Sequence, residues 1–292
     1  MKVKLKQYTS EEDKTLIEKE IYVDGILKEN LDLAKKDLQD DWDQVWFVDG
    51  AEGAGKSVLA ITLAYYVSPV ERRHNLINRV IVDIEEAPKI IKQADQFDAI
   101  VIDESYKGMS STGAMHKLNK LLQTMFTEIR AKNLFVFAVA PTFMDINRYF
   151  AIWRSKCLLH VYSDKGERGF CSFFNSHLKK KLYILGKRQF YNYAIVKPNF
   201  RFRFTKGSVN QCLDYSQYKE MKRNKNLVCD EDPDYVDPKL MKKCWIKVRE
   251  NMGKTTKPLT QQQFSEINEM SERSIKHYDA LIREKEGLGG GV

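Results

Sequence analysis

Eight residues, Gly50-Ala51-Glu52-Gly53-Ala54-Gly55-Lys56-Ser57, stand between the apolar runs Val45-Trp46-Phe47-Val48 and Val58-Leu59-Ala60-Ile61. The spacing G-x-x-x-x-G-K-S in that setting predicts a strand, a tight loop and a helix in succession. Glycine lets the backbone turn where a side chain would obstruct it, while the flanking runs supply elements buried on both sides. The loop N–H groups can then close around a polyphosphate, and the positive end of the following helix favours the anion. Lys56 is expected to reach the β- and γ-phosphates and Ser57 to ligate Mg²⁺. Gly50, Ala51, Glu52, Gly53, Ala54, Gly55 and Val58 complete the expected cradle.

A second run, Ala99-Ile100-Val101-Ile102-Asp103-Glu104, lies further along the chain. Four apolar residues ending in a carboxylate describe a buried parallel strand with its acid at the carboxyl edge, where α/β sheets bind ligands. Asp103 is placed to hold Mg²⁺, and Glu104 to orient and polarise an attacking water. The consecutive acids favour a hydrolase over a nucleotide kinase. A guanine-reading N-K-x-D string is missing: Asn119-Lys120-Leu121-Leu122 lacks the aspartate. ATP and Mg²⁺ are therefore the expected ligands.

Composition narrows the class. The 292 residues are 43% hydrophobic and 30% charged, as in a soluble globular protein. The runs 58–67 and 134–140 are too short to cross a bilayer. Met1-Lys2-Val3-Lys4-Leu5-Lys6 lacks the apolar core of a signal peptide, so a cytoplasmic location is expected, the host cytoplasm if the protein is viral. Cys157, Cys171, Cys212, Cys229 and Cys244 are scattered without C-x-x-C spacing, which fits a reducing compartment and no structural zinc.

The net charge of +8 is unevenly spread. Residues 179–206 hold Lys179, Lys180, Lys181, Lys187, Arg188, Lys197, Arg201, Arg203 and Lys206 and no acid, interleaved with aromatics such as Tyr183, Phe190 and Tyr191. Cations set among rings suit a nucleic acid, since phosphates meet the charges and bases can stack. Part of the stretch is core, because Arg201-Phe202-Arg203-Phe204 alternates as a half-buried strand does.

Strand and helix signals alternate between residues 45 and 165, which implies an α/β, doubly wound, mainly parallel sheet. Helices are expected at 56–66 and 86–94, and one face of a longer helix carries Met115, Leu118, Leu122, Met125 and Ile129. A strand is expected near 79–83, another at 134–140 stopped by Pro141, and a fifth at 157–161. Residues 1–44 read as a lead-in segment with weak periodicity. Residues 166–228 read as a basic–aromatic, β-rich extension, and 229–238, with five acids and two prolines, as a linker. Residues 239–286 read as helical, with a possible helix-turn-helix in which Ser271 caps the second helix and Arg273 and Lys276 face outward. Residues 287–292 have the composition of a disordered tail.

Taken together, both nucleotide motifs, the string Thr127-Glu128-Ile129-Arg130 and the strand at 134–140 resemble the additional-strand P-loop ATPases, on the FtsK–HerA side of that class. DNA translocases, zonula-occludens-toxin-type phage assembly ATPases and small viral genome-packaging motors belong there. The resemblance covers roughly residues 45–162 and implies a RecA/FtsK-like sheet in a hexameric or pentameric homo-oligomeric ring that pulls DNA through a central channel. It also implies a catalytic arginine from the neighbouring subunit; Arg130 occupies a matching position, with Arg154 and Arg148 as rivals. Such an arginine is worth about 10³–10⁵ in rate. Two departures stand out. Pro141-Thr142 replaces the glutamine that commonly ends the fourth strand, leaving Thr142 as the sensor candidate. No membrane helix of the zonula-toxin type follows the ATPase segment.

The leading expectation is an ATP-hydrolysing motor that moves double-stranded DNA, packaging a viral genome with a capsid or portal partner and no membrane. Its DNA contacts would come from Lys179, Lys180, Lys181, Lys187, Arg188, Arg201, Arg203, Arg273 and Lys276. The alternative is an ATP-switched DNA-binding or loader protein that uses its carboxyl-terminal helix-turn-helix.

Overall fold

Three apolar runs without a polar face, 45–48, 99–102 and 135–139, supply the centre of a sheet. The computed structural model describes residues 1–83, 85–103, 120, 123–125 and 127–227. Contacts divide the chain into the units Met1–Cys229 and Asp230–Val292, and the second lies outside the described residues. The first unit opens with the antiparallel hairpin β1 (Lys2–Tyr8) and β2 (Leu16–Tyr22), then α1 (Gly25–Gln39). β3 (Gln44–Gly50) leads through the glycine loop to α2 (Lys56–Val67). β4 (Val80–Ile81), α3 (Ala87–Gln93), β5 (Ala99–Asp103), β6 (Phe135–Val139) and β7 (Cys157–Asp164) follow. The remainder is β8 (Glu167–Phe174), α4 (Ser176–Arg188), β9 (Phe200–Arg203), α5 (Val209–Cys212) and α6 (Tyr215–Leu227).

The seven-stranded sheet has the order β4-β5-β6-β3-β7-β8-β9. The pairs from β4 to β7 are parallel, and β8 and β9 add antiparallel strands at one edge. The fold is thus α/β with a mainly parallel sheet. β3, β5 and β6 are buried along their whole length because helices cover both faces. Alternation divides each strand between two cores. Trp46, Val48, Phe135 and Phe137 pack under α1 and α2, whereas Val45, Phe47, Val136 and Ala138 pack against α3 and α4 on the opposite face. α2 is buried nearly all round, which explains its uniformly apolar run.

Local signals place most of these elements, with three differences. The lead-in segment 1–44 folds into β1, β2 and α1. Leu27, Leu31, Ala34 and Leu38 form the buried stripe of α1, capped by Asp24, but the exposed Ile26 and Leu33 blur its period. The stretch at 166–228 continues the main sheet through β8 and β9 and, among the described residues, also contains three α-helices. Its longest, α4, hides an apolar face (Leu182, Tyr183, Gly186) among lysines. The strand expected near 79–83 shrinks to the two residues of β4. The expected helix at 115–129 lies mostly outside the described residues, of which 120, 123–125 and 127–131 are helical. The linker, the helix-turn-helix and the tail lie outside them altogether. No helix among the described residues is long and apolar enough to cross a membrane.

Candidate nucleotide site

The turn from β3 into α2 is made by glycines in conformations that side chains rarely adopt. Gly50 has φ +135°, and a Cβ there would lie 1.9 Å from the Val161 carbonyl oxygen of the neighbouring β7. Gly55, at φ +107°, precedes α2 without any side-chain cap. The first N–H groups of α2 are therefore left to a ligand or to water. A Cβ at Gly55 would meet the Phe204 ring at 3.1 Å. Lys56 folds back over the loop and donates to the carbonyls of Gly50 at 2.7 Å and Ala51 at 3.1 Å. Partial burial lowers its pKa, which Asp49 and Glu52 partly offset. An anion in the loop would offer that ammonium stronger, charged acceptors than the carbonyls it now uses.

β5 and β3 are separated by β6, a spacing that brings the acid of β5 to the start of α2. Ser57 Oγ donates to Asp103 Oδ1 at 2.8 Å, joining the two motifs. Hydroxyl and carboxylate oxygens are the donor set that Mg²⁺ prefers, so these residues fit that ion. A cationic group already lies against them: Lys222 Nζ is 2.5 Å from Asp103 Oδ2 and 3.2 Å from Ser57 Oγ. Tyr218 donates its hydroxyl to the same Oδ2. Burial, with the Asp103 charge beside it, pushes the Tyr218 phenol well above its ordinary pKa.

The remaining expected site residues fall in different places. Glu104 lies outside the described residues. Thr142 belongs to a partly buried network around Asp49: its hydroxyl is 3.2 Å from Tyr193 Oη. Tyr193 donates to Asp49, which also accepts from Phe143 N at 2.8 Å and lies 2.8 Å from His160 Nδ1. His160 and Tyr193 stack with centroids 3.8 Å apart. Thr142 is thus hydrogen-bonded to the Tyr193 hydroxyl, one bond away from Asp49 at the end of β3.

Arg130 and Arg154 converge on Asp43, just before the amino end of β3, the Arg154 pair at 2.5 Å and the Arg130 pair at 3.8 Å. The loop is at the other end of that seven-residue strand, about 20 Å away. Within this chain neither arginine belongs to the phosphate cradle. Arg148 is exposed beyond β6.

The basic segment is corrected at one residue. Lys179 is fully buried and donates to the carbonyls of Ala151 at 2.6 Å and Ile152 at 3.2 Å. It therefore cannot meet a polyanion, because its position in α4 belongs to the face of Leu182, Tyr183 and Gly186. Lys180 lies over the exposed Trp153 ring at 4.6 Å, Lys187 donates to the Met144 carbonyl at 3.0 Å, and Arg203 pairs with Glu167 at 2.9 Å. Lys181, Arg188 and Arg201 are exposed. Phe202 packs into the core under α2, so Arg201 and Arg203 point to the α4-bearing side of the sheet. Arg273 and Lys276 lie outside the described residues.

Three neighbours of the loop escaped the sequence reading. Arg168, on β8, brings a guanidinium nitrogen to 3.9 Å from the position a Gly53 Cβ would take. Tyr218 and Lys222 approach Asp103 and Ser57 from more than a hundred residues away. The only local trace of the last pair is the i,i+4 spacing that puts both on one face of α6.

No family model matches the chain, and no curated protein matches it. Among solved structures, the chain is similar to the N-terminal domain of zonular occludens toxin from Neisseria meningitidis, with 9% identity and a TM-score of 0.34. The match covers 56% of this chain and 94% of that one. A likeness this slight bears on neither chemistry nor partners.

Proposed function

We propose that the chain is a Mg²⁺-dependent ATPase whose turnover drives movement along double-stranded DNA, as in the packaging of a viral genome by a ring of identical subunits. The observation that carries the enzymatic part is the 2.8 Å hydrogen bond from Ser57 to Asp103, set beside a glycine loop onto which Lys56 is folded. In this reading the loop N–H groups and Lys56 bind and orient the triphosphate, and Ser57 and Asp103 hold the metal. Mg²⁺, when bound, supplies neutralisation of charge on the β- and γ-phosphate oxygens. Glu104 orients the attacking water, and a neighbouring subunit lends an arginine. Support for the DNA part comes from basic residues left outside the core, Lys180, Lys181 and Arg188 of α4 and Arg201 and Arg203 of β9. The wholly exposed Phe190 follows α4 in the chain.

ATP turnover by the full chain at physiological salt, with and without long linear duplex DNA, tests the proposal. Stimulation by DNA of any sequence, lost in Lys56→Ala, is the expected result. A protein that binds no ATP overturns the reading altogether. Slow turnover indifferent to bound DNA overturns the motor and leaves the nucleotide-switched DNA-binding protein. The placement of α6 against Asp103 favours that second reading, since it links the nucleotide site to the helix from which the chain passes to its second unit.

A further inference from the structure

The two oxygen donors suited to a metal ion are engaged by a cation of the chain itself. Lys222 Nζ lies within hydrogen-bond distance of both Asp103 Oδ2 and Ser57 Oγ. Tyr218 takes the same carboxylate oxygen, and Ser57 takes the other. Asp103 is buried, and the Lys222 side chain is only 23% exposed, so water screens the contact weakly. An ammonium at these distances and a divalent ion bound to the same oxygens would stand closer than two cations tolerate. The two states exclude each other.

The helix that delivers these groups is lightly held. Among the described residues of α6, Tyr218 alone is buried, and its neighbours Ser216, Gln217, Lys219 and Glu220 are exposed. Its amino end is capped by Asp214, which accepts from the N–H groups of Ser216 and Gln217. The helix can therefore keep its own hydrogen bonds while its contact with the sheet edge breaks.

We infer that α6 is an autoinhibitory element in which Lys222 stands in for Mg²⁺, so that metal-loaded nucleotide binds only as Tyr218 and Lys222 leave Asp103. The inference rests on the nucleotide-binding reading above. Linkage makes the effect reciprocal: whatever α6 takes from metal affinity, metal-loaded nucleotide takes from the docking of α6.

The test titrates Mg²⁺ into the full chain with a fluorescent ATP analogue and follows binding, together with amide hydrogen exchange in residues 215–227. Lys222→Met keeps the stem and removes the charge; the half-saturating Mg²⁺ concentration is expected to fall about tenfold, the loss of one charged hydrogen-bonded contact from the competing state. In the unmodified protein, Mg²⁺ with nucleotide is expected to speed exchange in α6, a measurement that needs no variant to fold. A Mg²⁺ requirement that Lys222→Met leaves unchanged or raises, or an α6 whose exchange ignores Mg²⁺ with nucleotide, overturns the inference. If the unmodified protein and Lys222→Met both fail to bind the analogue at any Mg²⁺ concentration, the nucleotide reading itself has failed and the inference goes with it.

Discussion

Lys179 illustrates how one side chain can belong to a charge run and still be core. Its ammonium donates to two carbonyls within the segment Phe150–Arg154, and a neutral amine has the two N–H groups those acceptors require. Burial lowers its pKa to about 7 from 10.5. The unfolded chain therefore binds more protons than the native one between those values, and stability rises with pH across that window. The contribution is lost as pH falls back through about 7, where both states carry the proton. Lys179→Met should flatten the rise by up to about 1.4 kcal/mol per pH unit in urea unfolding measured between about pH 7.5 and 9.5. Equal slopes in the two proteins would show that the group titrates normally in the fold.

At the scale of elements, β3 is fastened differently at its two ends. Its carboxyl end passes into the glycine loop, where Gly50 lies against β7. Before its amino end, Asp43 draws in Arg154 from the segment after β6 and Arg130 from the residues before it. Asp43 is buried, so its removal withdraws an anion from a mostly buried guanidinium rather than from a solvated one. Asp43→Ala is expected to lower unfolding free energy by about 2–4 kcal/mol. Because the loop lies at the other end of the strand, affinity for ATP should stay close to that of the unmodified protein. A variant that unfolds normally but loses ATP would mean that this clasp acts on the site after all.

For the whole molecule, the core residues among the described ones all fall in the first unit, and the last of them in the chain is Tyr218. A chain ended after Cys229 is therefore expected to unfold cooperatively, with a Tm within about 4 °C of the full chain by circular dichroism. Loss of the cooperative transition would mean that residues 230–292 complete the fold. The same truncation keeps α6, so the contact of Lys222 with Asp103 should survive it.

Sequence alone determined the local path of this protein. The glycine loop, the fully apolar strands and the stripe of α1 are written in neighbouring residues, because turn sterics and periodic burial act over a few positions. The strand bearing Asp103 was equally legible, and so was its partnership with Ser57, since the two motifs imply each other chemically. Tertiary structure decided what each charge meets. Arg130 and Arg154 share Asp43, Lys179 faces inward, and Lys222 and Tyr218 reach Asp103 across 115 or more residues. Such pairings depend on strand order and helix placement, which a run of residues does not encode until the sheet has closed around them.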